Sequence, residues 1–247
     1  MTFKFIESVL PELREMERIM DRDFRLRAGH ITRFVSLELD KADKYLYPGM
    51  LLLSAKMLGA ASTAKSLPLA AVVQFVRLAG HVHGYDGRSP QYPVLVGDYL
   101  YSHFFLYLSR YDCLEMLAPL SAAICDIHEG GIIRKDVLEE GIGSVLDYTA
   151  VAEKEWGSLL AECCTIGAAV ADAPHQETET IRAFGRNFGT AWGILRSGFS
   201  EISPAQYLIQ ARQALNALPK TREKTMLLRT VDTLEHEPEL MKNFMAG

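Results

Sequence analysis

No run of apolar residues in this 247-residue sequence approaches the roughly 20 needed to cross a bilayer as a helix. The longest, Met50–Leu53 and Leu67–Val73, fall far short, and the charged N-terminus MTFKFIESVLPELREMER has no apolar stretch of signal-peptide type. No transmembrane segment is therefore expected. Cysteine is sparse, with four residues, no CxxC pair, and an adjacent Cys163-Cys164 that cannot easily bridge itself. Such thiols read as buried groups in a reducing compartment, which predicts a soluble, cytoplasmic protein. Positive charge is also in deficit. Lys and Arg total 26 against 31 Asp and Glu, a net charge of -5, so nothing draws the chain to a phosphate backbone or an anionic membrane. Nucleic acid is excluded as the main partner. Strand-like alternation is nearly absent, as are a Gly-rich phosphate loop, a GxSxG elbow and a Cys–His arrangement.

What remains is helical periodicity along almost the whole chain. Phe5, Ile6, Val9, Leu10 and Leu13 recur at spacings of three and four within a helix predicted over 3–27, whose charged residues between Glu12 and Arg27 read as a solvated face. Pro48-Gly49 predicts a break before a buried helix ending at Gly59. Ser66 and Pro68 open the next helix, and the Gly/Pro/Ser-rich stretch Gly84–Pro93 predicts a loop. Further helices are expected over 94–108, over 119–132 with an end at Gly130-Gly131, over 145–171 and over 177–195. A closing pair is expected over 205–218 and 221–235. With no repeat and no linker, the expectation is an all-α, single-domain bundle of about ten helices spanning residues 1–247.

Six segments, in order, resemble the trans-prenyl diphosphate synthases. KYLYPGMLLLSAKMLGA is similar to that family's GKRxRPxLxLLxAxxxGG, and LPLAAVVQFVRLAGHVHG to the helix that ends in HDDxxD. VLVGDYLYSHFFLYLSR resembles VLxGDYLxxxAFxxLA, and ICDIHEGGI resembles IxxxxEGEI. IRAFGRNFGTAWGIL is similar to YGxxLGxAFQIxDDxLD, and ARQALNALPKTREKTMLL to the terminal ALxxLPxxxxxxxLxxL pair. The resemblance implies an isoprenoid-synthase-like fold. It also implies a chemistry in which an allylic diphosphate ionises and isopentenyl diphosphate attacks the cation. Three Mg²⁺ ions, held by two DDxxD motifs, neutralise the leaving group.

Measured against that resemblance, the chain lacks both aspartate-rich motifs. After His83 it reads Gly84-Tyr85-Asp86-Gly87-Arg88, and after Ile194 it reads Leu195-Arg196-Ser197-Gly198. Tyr45 and Tyr47 stand where arginines are expected, and Glu155-Trp156 aligns with the family's Lys-Thr pair unless a one-residue shift recovers Lys154. The implied role is a non-catalytic accessory subunit of a heterodimeric prenyl diphosphate synthase, inactive alone, which stabilises the catalytic subunit and helps set product chain length. No cofactor is expected in this chain, and Mg²⁺ is expected in the catalytic partner.

Site residues follow from the same resemblance. Lys44, Arg77 and Arg88 are a remnant diphosphate site, or else ordinary paired cations. Asp98, Tyr101, Phe104, Phe105, Ile124, Ile127 and His128 lie on the two helices that form the family's dimer interface. Trp156 and Trp192 stand at the family's polar catalytic positions and either fill the emptied cavity or pack as ordinary core, and Arg196 is a candidate partner for Glu129 or Glu155. Two alternatives stay open. One is a homodimeric pseudoenzyme that holds a prenyl lipid or terpenoid. The other is a diverged prenyltransferase using His81, His83 and Asp86, which offer two imidazoles and a carboxylate to Zn²⁺ or Fe²⁺.

Overall fold

The computed structural model describes residues 4–27, 29–33, 39, 41–83, 91–140, 143–199 and 202–236. Asp86 and Arg88 lie outside them. The helices in chain order are α1 (Leu10–Asp23), α2 (Lys41–Met57), α3 (Ser66–His83), α4 (Gln91–Arg110), α5 (Leu117–Glu140), α6 (Val145–Ala152), α7 (Ser158–Val170), α8 (His175–Ser197), α9 (Ala205–Ala217) and α10 (Arg222–His236). A π-helical turn, Glu153–Gly157, joins α6 to α7 without a break. Two-residue strands β1 (Arg25–Leu26) and β2 (Gly29–His30) pair antiparallel just after α1. The result is the all-α bundle that the periodicity predicts.

One continuous apolar cluster runs through it, with α7 and α8 side by side at its centre and α2 against α7. Leu159, Leu160, Cys163 and Ile166 of α7 meet Ile181, Phe184, Phe188 and Trp192 of α8, and all of them are buried. The α7–α8 approach depends on glycine. A Cβ at Gly185 would lie 2.5 Å from the Leu160 carbonyl oxygen and 2.8 Å from Cys164 Sγ. Burial holds the Cys163 and Cys164 thiols protonated, with that of Cys164 raised to about 12. Cys125 differs from the other three cysteines in being exposed.

Several local expectations give way to tertiary packing. α2 runs through Pro48 instead of breaking there. Tyr47 and Met50 are fully buried on either side, and that burial outweighs a proline penalty of about 3 kcal/mol. α5 continues through Gly130-Gly131, because Gly130 serves close contact and not termination. A Cβ there would meet Glu155 Cγ at 2.8 Å and Lys154 Cβ at 3.0 Å. α4 begins at Gln91, so Pro93 sits in a first turn, where its missing N–H costs little.

The expected solvated face of α1 is solvated only in part. Lys56 Nζ reaches Glu12 at 2.7 Å, Tyr45 donates to Glu17 at 2.9 Å, and Tyr107 donates to Asp23. Three carboxylates thus lace α1 to α2 and α4.

Candidate functional site

Where the resemblance calls for metal-binding aspartates, α3 and α8 end differently. α8 closes with Leu195, Arg196 and Ser197, and the Ser197 hydroxyl donates to the Gly193 carbonyl at 2.6 Å. Gly198 then takes the left-handed conformation (φ 68°) that terminates a helix. α3 ends with His81 and His83, whose directions around the axis lie roughly 160° apart at two residues' spacing on a helix. The His83 ring lies over Gly97, 1.9 Å from where a Cβ would stand, so a side chain there would have to displace the ring. His83 Nε2 stands 3.6 Å from Asp98 Oδ1.

Beside these ends the π-turn turns its charges onto α5. Lys154 Nζ lies 2.9 Å from both Asp126 and Glu129, and these two acceptors raise the lysine's pKa. Arg134 pairs with Glu155, and its guanidinium lies 4.8 Å from the centroid of the Trp156 ring. Burial raises the Glu155 carboxyl above its ordinary value, and Arg134 offsets part of that rise. Glu129 and Glu155, the acids proposed for Arg196, therefore take Lys154 and Arg134 as partners. Lys154, the residue that the one-residue shift would recover, is directed at an acidic pair. Trp192 is buried, and Trp156 packs its ring edge 2.7 Å from where a Gly193 Cβ would stand.

The remaining basic candidates have different neighbours. Lys44 pairs with Glu17, and Arg77 lies 5.7 Å over the Tyr47 ring. Magnesium clusters require converging oxygen ligands. Among the described residues no three His, Cys, Asp or Glu side chains converge in that way, and Asp126, Glu129 and Glu155 face cations instead, Asp126 and Glu129 sharing Lys154 and Glu155 taking Arg134. The described residues do not fit a three-ion magnesium site.

Among the described residues α4 carries the most exposed large apolar side chains, with Ile132 of α5, Val145 and Leu146 of α6 and Ile209 of α9 beyond it. α4 packs on α3, and α5 packs on α7 and the π-turn, but both turn apolar side chains to solvent. Leu95 is 65% exposed, Phe105 54% and Ile132 63%. The segment Leu114–Val137 is, among the described residues, long and apolar enough to cross a bilayer by length and composition, and only 17% of its most apolar stretch is buried. The sequence expectation overlooked it because scattered charges break the run without making the helix polar.

Of the residues assigned to an interface, Asp98 and Phe105 are exposed, while Tyr101, Ile124, Ile127 and His128 are half-buried. Phe104 corrects its assignment. It lies on the inward side of α4, fully buried in the chain's own core. The Tyr101 hydroxyl and His128 Nε2 are 2.9 Å apart and bridge the two helices. Burial, helped by the Asp98 charge, pushes the Tyr101 phenol up to about 12, and burial lowers the His128 pKa.

Comparison with known proteins agrees with this architecture. Residues 89–195 match the polyprenyl synthetase family model. A prenyl transferase of Synechocystis sp. is 24% identical over 76% of this chain and 67% of its own length. A decaprenyl diphosphate synthase from Rhodobacter capsulatus superposes with a TM-score of 0.80 at 17% identity, covering 94% of this chain and 98% of that one. A deletion mutant of the heterotetrameric geranyl pyrophosphate synthase of mint superposes with a TM-score of 0.76 at 17% identity, covering 90% and 97%. The fold is that of the isoprenoid synthases, and a polyprenyl synthetase relationship is supported by the family model and by relatives.

Proposed function

We propose that this chain, as one domain, is a non-catalytic subunit of a heteromeric prenyl diphosphate synthase, stabilising a catalytic chain and helping to set the length of its product. The observation that carries this reading is the end of α8. A diphosphate leaving group needs several carboxylate-held Mg²⁺ ions, and this helix ends in Arg196 and Ser197 under a glycine cap. A multiply charged diphosphate with no cluster to neutralise it would face a large desolvation cost. Lys154 and Arg134, the cations bordering that region, are already engaged by acids of this chain.

The exposed apolar faces of α4 and α5 supply the other half of the argument. A face of that kind costs hydrophobic free energy in water and gives it back when a partner covers it. A catalytic chain of the same fold, carrying intact aspartate motifs and its own Mg²⁺, is the partner proposed here. That a geranyl pyrophosphate synthase of this fold is heterotetrameric supports assembly from unlike chains as a workable design. The setting would be isoprenoid biosynthesis in the cytoplasm.

The test is reconstitution. The purified chain is given an allylic diphosphate, isopentenyl diphosphate and Mg²⁺, alone and mixed with a synthase chain that carries two intact DDxxD motifs and comes from the same source. No turnover alone is expected, together with a higher rate or a changed product length in the mixture. Mg²⁺-dependent turnover by this chain alone would overturn the reading, as would a catalytic chain whose rate and product length ignore it.

A further inference from the structure

Resting on the reading of α4 and α5 as the subunit contact, we infer that this face is charged so as to refuse a second copy of the same chain and to accept a partner presenting basic side chains. The outward row of α4 is Leu95, Asp98, Ser102, Phe105 and Ser109, spaced by three and four residues and exposed throughout. The outward row of α5 is Ala118, Ala122, Cys125, Glu129, Ile132 and Asp136, also exposed throughout. Every formally charged residue in the two rows is acidic: Asp98, Glu129 and Asp136. Asp98 is 66% exposed at its side chain and Glu129 60%.

The neighbouring charges do not cancel them. Lys154 stands beside Glu129 but is shared with Asp126. The bases Arg110 and Lys135 are exposed just off the rows, and so are the acids Asp112 and Glu115. His83 and His128 stand behind the rows, half-buried on their inner side.

Two copies meeting through this face would set six carboxylates into one apolar contact. Like charges brought together while water is excluded oppose association, and they do so selectively, because a partner with Lys or Arg at the matching positions gains where a second copy loses. The small residues Ala118, Ala122 and Cys125 meanwhile allow a facing helix to approach α5 closely. Contact area thus comes from the apolar residues, and choice of partner from the three acids. The same acids disfavour an anionic bilayer as the occupant of this face.

The experiment pairs the wild-type chain with its own charge-reversed form, Asp98→Lys with Asp136→Lys. Both positions are exposed, and the Lys154–Glu129 pair is left intact. Sedimentation equilibrium at about 50 mM and about 500 mM NaCl is the readout, since added salt shortens the reach of surface charge several-fold. The wild-type chain should be monomeric at low salt. The mixture should form a one-to-one complex that weakens at least tenfold at high salt. A wild-type dimer as tight as the mixed complex would overturn the inference. So would a mixture that does not associate, or a wild-type chain that binds vesicles of anionic phospholipid.

A control separates this failure from failure of the underlying reading. Phe105→Glu is introduced into whichever species associates. A wild-type dimer dissolved by Phe105→Glu leaves the face as the contact and removes only its charge selectivity. Association unchanged by Phe105→Glu means that the contact lies elsewhere.

Discussion

α7 with α8 and α4 with α5 are similar in apolar content and opposite in fate. Across the first pair, Leu159, Leu160, Phe184, Phe188 and Trp192 are closed off from water, and glycines draw the backbones together. On the second pair, Leu95, Phe105 and Ile132 stay in solvent. One chain therefore holds a core sealed from water and an apolar face left open to it.

Mutation can break or sharpen this contrast. The largest expected effect is at Trp192. Trp192→Ala empties a fully buried site, and the isolated chain should lose about 4 kcal/mol in urea unfolding, as large-to-small core changes do. Next comes a pair of identical changes with opposite results. Gly185→Ala forces a methyl to 2.5 Å from the Leu160 carbonyl oxygen, so about 2–3 kcal/mol should be lost. Gly131→Ala on α5 meets only Glu155 Oε1 at 3.9 Å and should be neutral or stabilising by about 0.5 kcal/mol. Equal losses at both glycines would erase the distinction between the regions.

Phe105→Ala should leave unfolding of the isolated chain within about 0.5 kcal/mol of wild type, while weakening assembly by about 2 kcal/mol in a titration against the partner. The smallest effect is the response to pH. Burial holds His103 and His128 below the ordinary 6.5. The unfolded chain therefore takes up protons that the folded chain resists, and their contribution to stability is full above pH 6.5 and drains away as the pH falls through the lowered values. Glu155 and Glu162, raised by burial, act in the opposite sense. The clean measurement is thus the difference between wild type and His103→Asn/His128→Gln at pH 7.5 and 5.5. That difference should shrink by about 1 kcal/mol or less at the lower pH.

Much of the fold was legible in the sequence, because helical periodicity with few β-turn signals leaves little choice beyond a bundle. α3 and α8 fall within two residues of their expected limits. Pro48 and Gly130 misled because a local breaker says nothing about what stands beside it. Tyr47 and Met50 hold α2 together across the proline, and Glu155 presses into the space that Gly130 leaves. The changed ends of α3 and α8 could be read residue by residue. The partners of Lys154 could not, since Asp126 and Glu129 lie more than twenty positions away and only the bundle brings them near. Phe104 and Phe105 show the same limit at closer range. They are adjacent aromatics of equal hydrophobicity, and one is sealed in the core while the other stands in water.

The π-turn between α6 and α7 has a consequence for how such a chain can change. Five residues there wind more widely than an α-helix, so the rod carries one residue beyond what ordinary winding needs. Loss of a single codon from Glu153–Gly157 would leave an uninterrupted α-helix. Because the wider turn takes up that extra residue, α6 would keep its register on α7, with the Ser144–Asp147 cap and the Tyr148–Phe199 contact held in place. A one-residue deletion at this point is thus milder for the bundle than one in the middle of α7 or α8. The turn's side chains are the more constrained feature: Lys154, Glu155 and Trp156 hold α5 and α8, and a Cβ at Gly157 would meet Thr190 Oγ1 at 2.7 Å.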